Sequence, residues 1–225
     1  MGRNQDEETR GKDSKGKEVA GNSRGITRPP LNFLAIFKNY RITIDTSCPD
    51  ELCRRLYAGV FLKPNKLKYF VDEESKKNCF MLFARELTIR HGGEEQYWEW
   101  ETLSGEGIEV AKLVMVSWLD IKGNFRTINL SPGTLYEIVF ELKKFDGEFN
   151  SDFNFDLIIK PQHSKALTRT TSLEGKPLEK WFELVVGEFR MSPEYVGNME
   201  FGVEKHDWHW KSGVVVKCAI IRPKK

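Results

Sequence analysis

The sequence has no apolar run approaching the ~18 residues that a membrane span requires. Its first residues are polar and charged, without the apolar core of a secretory leader. Met1-Gly2-Arg3-Asn4-Gln5-Asp6 also lacks the Ser or Thr of a myristoylation signal. These absences predict an unanchored cytosolic chain with no membrane partner. Cysteine is sparse: Cys48, Cys53, Cys79 and Cys218. No two of them form a C-x-x-C pair, so no metal is expected. In a reducing compartment all four would remain thiols. Asn129-Leu130-Ser131 fits a glycosylation acceptor, but a cytosolic chain would not meet that machinery.

An excess of one charge is also missing. The net charge is +2, and residues 1–28 account for all of it with seven basic and five acidic side chains. The remainder is formally neutral, a poor electrostatic template for nucleic acid. Enzyme signatures are absent as well: no G-x-S-x-G, no P-loop, no G-x-G-x-x-G after a strand, no H-E-x-x-H. His206 and His209 flank Asp207, and Cys218 lies downstream, but strand neighbours point to opposite faces and make a poor catalytic thiol site. The reading is a protein without catalytic residues.

What the sequence does contain is alternation. Residues 1–28 are too polar to offset their ordering entropy and read as a disordered tail, closed by Pro29-Pro30. Residues 31–37 are short and apolar and should pack onto the domain. Ser47-Cys48-Pro49-Asp50 reads as a helix start. Leu52, Leu56 and Val60 then recur at spacing four, giving one amphipathic helix that ends near Gly59. Beyond Phe80 the pattern is strands. Tyr136, Ile138, Phe140 and Leu142 share one face; so do Phe153, Phe155, Leu157 and Ile159. Phe182, Leu184 and Val186 form a third set, and Val214, Val216, Cys218 and Ile220 a fourth. Residues 110–121 are apolar on both faces, as in a strand covered on both sides. Turns are expected at His91-Gly92-Gly93, Lys122-Gly123-Asn124, Ser131-Pro132-Gly133, Asp146-Gly147 and Ser212-Gly213. Residues 161–180 read as a long loop. The expected fold is an all-β, jelly-roll-like antiparallel β-sandwich over 79–225. A 29–78 extension with one short helix and the 1–28 tail precede it. Arg85, among Met81, Phe83, Leu87 and Ile89, reads either as half of an internal ion pair with Glu183 or Glu200, or as a donor at a site.

The informative residues are aromatic. Tyr97-Trp98-Glu99-Trp100 and Trp208-His209-Trp210 each place two indoles two residues apart, on one face of a strand. Sugar rings present apolar C–H faces and a rim of hydroxyls, so they need a flat aromatic platform with fixed polar groups beside it. Glu99, Glu101, Asp207, Lys211 and Ser212 supply such groups. The alternative is that all four rings are core. Trp118 is assigned to the core.

The same segments resemble the plant phloem lectins, the phloem protein two or Nictaba-type family. They include Ala84-Arg85-Glu86-Leu87-Thr88-Ile89, Tyr97-Trp98-Glu99-Trp100, Trp118-Leu119-Asp120-Ile121-Lys122-Gly123 and Leu130-Ser131-Pro132-Gly133-Thr134-Leu135-Tyr136. Trp181-Phe182-Glu183-Leu184, Gly187-Glu188-Phe189 and Trp210-Lys211-Ser212-Gly213 continue the likeness, which is nearest to the cucurbit members. The resemblance implies a metal-free homodimer that binds N-acetylglucosamine oligomers and related N-glycan cores in phloem sieve elements and companion cells, with a role in defence. It also implies association with filament-forming phloem protein and with RNA, though the neutral body speaks against RNA.

Carried onto these positions, the resemblance makes Trp98 the stacking tryptophan and Trp100 its partner, with Trp210, Lys211 and Ser212 as the terminal motif. His91 stands where many members have Trp. The expected site is Trp98, with Trp100 or Trp208 beside it, and Lys211, Ser212 and Glu183 or Glu204 holding hydroxyl or acetamido groups. In this expectation Trp98→Ala abolishes sugar binding while the fold survives. A rival reading makes the chain an interaction protein crosslinked to filament protein through Cys48 and Cys53. Another makes it an RNA carrier using the basic tail.

Overall fold

A computed structural model of the chain describes residues 29–30, 32–147 and 153–225; the expected tail lies outside them. Two helices, α1 (Phe33–Asn39) and α2 (Pro49–Ala58), come first. In α2, Pro49 opens the first turn, Asp50 and Glu51 face its positive end, and Gly59 ends it at φ +89°. Leu52 and Leu56 bury the face that their spacing predicts. Ser47 does not cap this helix; Cys48 holds the cap position without a side-chain bond. The helix α1 was not expected. α1 has only seven residues, too few to show more than one apolar stripe, and it buries Phe33, Ile36 and Phe37.

The strands are β1 (Val60–Lys63), β2 (Leu67–Val71), β3 (Asn78–Phe83), β4 (Thr88–Ile89), β5 (Trp98–Thr102) and β6 (Glu109–Leu113). They continue as β7 (Val116–Arg126), β8 (Leu135–Lys144), β9 (Asn154–Pro161), β10 (Leu167–Ser172), β11 (Trp181–Arg190), β12 (Asn198–Lys211) and β13 (Val214–Pro223). They form an eight-stranded and a five-stranded sheet, and every ladder between these strands is antiparallel. The expected all-β sandwich is therefore what the chain builds. β13 is the spine of the larger sheet. One edge pairs with β8, and the other is shared by β3 and β6. The smaller sheet runs β10-β9-β12-β7-β4. Between the sheets lie the inward sets predicted by alternation: Tyr136, Ile138, Phe140 and Leu142 of β8 meet Phe155, Leu157 and Ile159 of β9 and Phe201 of β12. Phe140 and Phe201 touch across the gap with ring centroids 6.2 Å apart.

Four local expectations fail for identifiable reasons. Residues 110–121 are two strands in different sheets, because Val114 and Met115 turn the chain by donating to the Tyr97 carbonyl. Lys122-Gly123-Asn124 is no turn but the middle of β7. Gly123 is required there because a Cβ would come within 2.3 Å of the Phe201 ring. Residues 161–180 contain β10, whose threonines and arginine gave no apolar alternation to read. The segment 81–89 is interrupted by a 3₁₀ turn at Ala84–Glu86, which turns Arg85 outward. It pairs with Glu109 through two bonds of 2.9 and 2.7 Å, not with Glu183 or Glu200.

The segment before the expected sandwich boundary is joined to it. β2 pairs with β3, and Asn78 sits fully buried at the seam. Its amide donates to Asn32 Oδ1 and to the Asn129 carbonyl, and Tyr69 OH donates to its Oδ1. Its backbone N–H donates to Ser131 Oγ, and its carbonyl accepts from Tyr136 OH. Every polar atom of this buried asparagine is thus satisfied, as burial requires. Asn129 and Ser131 of the glycosylation-like triplet are both buried in the same network.

The thiols divide sharply. Cys48 is exposed, but Cys53 is buried, which corrects its expected role as a crosslinking group. Burial pushes the Cys79 thiol up to about 12. Burial, then the Glu141 carboxylate beside it, pushes Cys218 well above its ordinary value. Brief iodoacetamide treatment of the native protein should alkylate Cys48 alone, with the other three reacting only in denaturant. Mass spectrometry of tryptic peptides reads the outcome.

Candidate functional site

β12 and β7 run in register from Asn198↔Arg126 to His206↔Trp118. The next pair is Lys211↔Val116, so three extra residues of β12 are thrown out of the ladder. That bulge carries Asp207, Trp208, His209 and Trp210. Its organising group is Lys211, whose side chain is 1% exposed. The ammonium donates to the Ser117 carbonyl at 2.6 Å, the His209 carbonyl at 2.7 Å and Asp207 Oδ1 at 2.7 Å. Asp207 Oδ1 also accepts the His209 backbone N–H at 3.0 Å. Burial opposes the charge on Asp207, but the Lys211 hydrogen bond, the His209 N–H and Lys205 outweigh it, and the carboxyl titrates at about 2.

The bulge leaves Trp208 86% exposed, with Trp210 at 43%. Beside them on β7 stands Trp118, also exposed. Its ring stacks on His206 at 5.4 Å, with the Arg90 guanidinium 5.2 Å from its centroid. These three indoles border a shallow open cleft of about 250 Å³, slightly smaller than the usual small-ligand pocket. Arg90, His91, Tyr97, Val116 and Ser117 complete the lining. His91 holds a left-handed backbone at φ +61°, and its Nδ1 lies 2.7 Å from Glu94 Oε1. Its ring packs on Tyr97 with centroids 4.9 Å apart. The cleft therefore offers flat rings, a guanidinium and an imidazole.

The phloem protein 2 family model matches residues 77–223, well over half of the chain. The chain belongs to the phloem protein 2 family. Among its relatives, Protein PHLOEM PROTEIN 2-LIKE A1 of Arabidopsis thaliana is 38% identical over 204 residues, spanning 88% of this chain and 82% of that one. A protein named Lectin from Luffa acutangula is 35% identical, spanning 86% and 94%. Among solved structures, a carbohydrate-binding module in complex with β-1,4-galactotriose overlaps 61% of this chain and 87% of its own, at TM-score 0.38 and 8% identity.

In this member of the phloem protein 2 family the expected site residues separate. His91, Trp208 and Trp210 line the cleft. Trp98 does not: it is 2% exposed, within the core between the sheets, and its Nε1 donates to the Arg90 carbonyl at 3.0 Å. Trp100 is half-buried, donates to the Gly92 carbonyl at 2.7 Å, and has the Arg85 guanidinium 3.5 Å from its ring centroid. The two indoles share a face, as expected, but that face points inward. Glu99 and Glu101 on the opposite face pair with Lys112 in the open, and those two charges were the signal for which side is wet. Lys211 and Ser212 are buried, and the Lys211 ammonium spends its bonds on Ser117, Asp207 and His209. Glu183 is held by two bonds to Arg222, at 2.7 and 2.6 Å, on the larger sheet. Glu204 lies outside the cleft lining, on the outer face of the smaller sheet.

Trp118, expected in the core, is instead exposed, although its parity was legible. Leu119, Ile121, Gly123 and Phe125 point inward along β7, so Trp118, Asp120, Lys122 and Asn124 must point out.

Lys211→Met should release the bulge and cost roughly 3 kcal/mol in chemical denaturation, because Asp207 loses its buried partner. Amide exchange at residues 207–210 should accelerate with it. The Asp207 carboxyl is held below its unfolded value, so its contribution is complete above about pH 4 and lost as pH falls toward 2. Thermal melts between pH 2 and 5 should show this slope in the parent and a shallower one in the variant.

Proposed function

We propose that the cleft between the bulge and β7 is a carbohydrate-binding site, and that the protein is a lectin acting in phloem by binding rather than by catalysis. The observation that carries this reading is the group of three solvent-exposed indoles, Trp118, Trp208 and Trp210, on one open concavity. Exposed tryptophan of that extent is uncommon unless a ligand or partner covers it. The family and the Luffa relative's name support the same assignment. N-acetylglucosamine oligomers are the ligand class we favour. The N-acetylated ring has an apolar face to lay on Trp208 or Trp210, and its acetamido and hydroxyl groups would meet Arg90 and His91. Trp98 acts one layer behind, by holding the loop that displays Arg90 and His91. An open cleft of this size buries little ligand, so a homodimer presenting two such sites would gain by avidity on multivalent glycans.

Trp208→Ala and Trp210→Ala should each weaken binding of chitotriose at least about tenfold with an unchanged melting temperature. Trp98→Ala should instead destabilise the fold by about 3–5 kcal/mol. Isothermal titration calorimetry and thermal melts on the purified chain separate these effects. Normal chitotriose binding by a folded Trp208→Ala, Trp210→Ala double variant would falsify the assignment.

A further inference from the structure

Below Trp118, on the outer face of the five-stranded sheet, three groups converge. Glu204 and Asp120 are directly opposite each other on β12 and β7, and His206 is the next outward residue of β12. One ligand atom from each lies within 4.8 Å of the others. Two features make this arrangement costly as it stands. Carboxylates facing each other across a strand pair repel. Asp120 Oδ1 is moreover fully buried without a hydrogen-bond partner, the only such side-chain atom among the described residues. Lys122 relieves only part of the cost. Its ammonium bonds Asp120 Oδ2 at 3.0 Å and leaves Oδ1 unmet. Glu204 makes no hydrogen bond or close ion pair among the described residues. The His206 Nε2 stands 3.8 Å from Asp120 Oδ2.

A group that would satisfy Oδ1, screen the two carboxylates and use the imidazole nitrogen at once is a divalent cation. We propose that Asp120, Glu204 and His206 form a binding site for a divalent transition-metal ion, zinc being the best match to one nitrogen and two carboxylate donors. Three protein ligands leave a coordination position for water. The His206 ring is held face-on by its stack on Trp118, a contact that leaves the in-plane Nε2 position uncovered by that indole. Lys122 stays on Oδ2 and offsets one of the two carboxylate charges, which keeps affinity moderate. The proposal stands independently of the sugar assignment, because its ligands lie outside the cleft lining. The stack on Trp118 is the one link between the two.

Titration calorimetry of the full chain with zinc chloride, without any glycan, tests it. The expected result is one site, weakened roughly tenfold or more by Glu204→Gln and separately by His206→Gln. Without metal neither variant should melt below the parent, and Glu204→Gln should melt at or above it, because it removes the carboxylate repulsion. Lys122→Gln should tighten zinc binding by removing the competing charge. His163→Ala, an exposed histidine far along the chain, should leave it unchanged. Absence of zinc binding up to millimolar concentration overturns the proposal. So does unchanged affinity in Glu204→Gln or His206→Gln, which would place the zinc elsewhere.

Discussion

A buried ammonium governs the shape of the candidate site. Lys211 is the last residue of β12, and its three acceptors come from Ser117 of β7 and from Asp207 and His209 within the bulge. Few side chains other than a long cation could collect a carbonyl from the neighbouring strand, a carbonyl from the loop and a carboxylate at one point. Without that collection, three surplus residues in a ladder would be a mobile excursion. With it, Trp208 and Trp210 are presented by a constrained backbone, and less ordering entropy remains to be lost when something settles on them. The charge therefore acts on recognition through geometry and not through contact.

The aromatic residues divide into two layers. Trp98 and Trp100 face the interior and spend their indole N–H groups on the carbonyls of Arg90 and Gly92. That fixes the turn where His91 adopts a left-handed backbone, a conformation of raised energy for a residue with a Cβ. The outer layer, Trp118, Trp208 and Trp210, is what solvent meets. A substitution in the inner layer and one in the outer layer would both impair a ligand site, for different reasons: one collapses the support, the other removes the surface.

The sequence was most legible where alternation was long and flanked by charge. The faces of β8, β9 and β11 follow their odd–even patterns, and the sandwich follows from those faces. In β13 the expected set is split, because a register shift between Val216 and Cys218 leaves Val214 and Val216 in the core between the sheets and turns Cys218 and Ile220 to the opposite face. The helix at 49–58 was legible from Pro49, the acids behind it and Gly59. Legibility failed where a long-range contact decided the outcome. Gly123 reads as a turn residue until Phe201 is known to lie opposite it, and Val114-Met115 reads as strand until Tyr97 supplies the acceptor that turns it. The site was half legible. Paired indoles marked the right segments, but two indoles in a strand look the same whether their face is wet or dry. Glu99 and Glu101 decided the question for Trp98 and Trp100, and the parity of Leu119 and Ile121 decided it for Trp118. The role of Lys211 depends on a register shift that no local pattern announces.

The Asn78 network sets where the folding unit begins. The family model starts at residue 77, yet the amide of Asn78 is satisfied partly by Asn32, and Phe37 packs edge-on against Tyr69 at 5.5 Å. Tyr69 in turn contacts Phe80 of the sandwich. A chain cut at the family boundary would strip β2 from the edge of β3, leave a buried amide short of an acceptor and uncover aromatic core to water. The folding unit is therefore longer than the stretch the family model matches: its stability is a property of the sandwich together with the segment that precedes it.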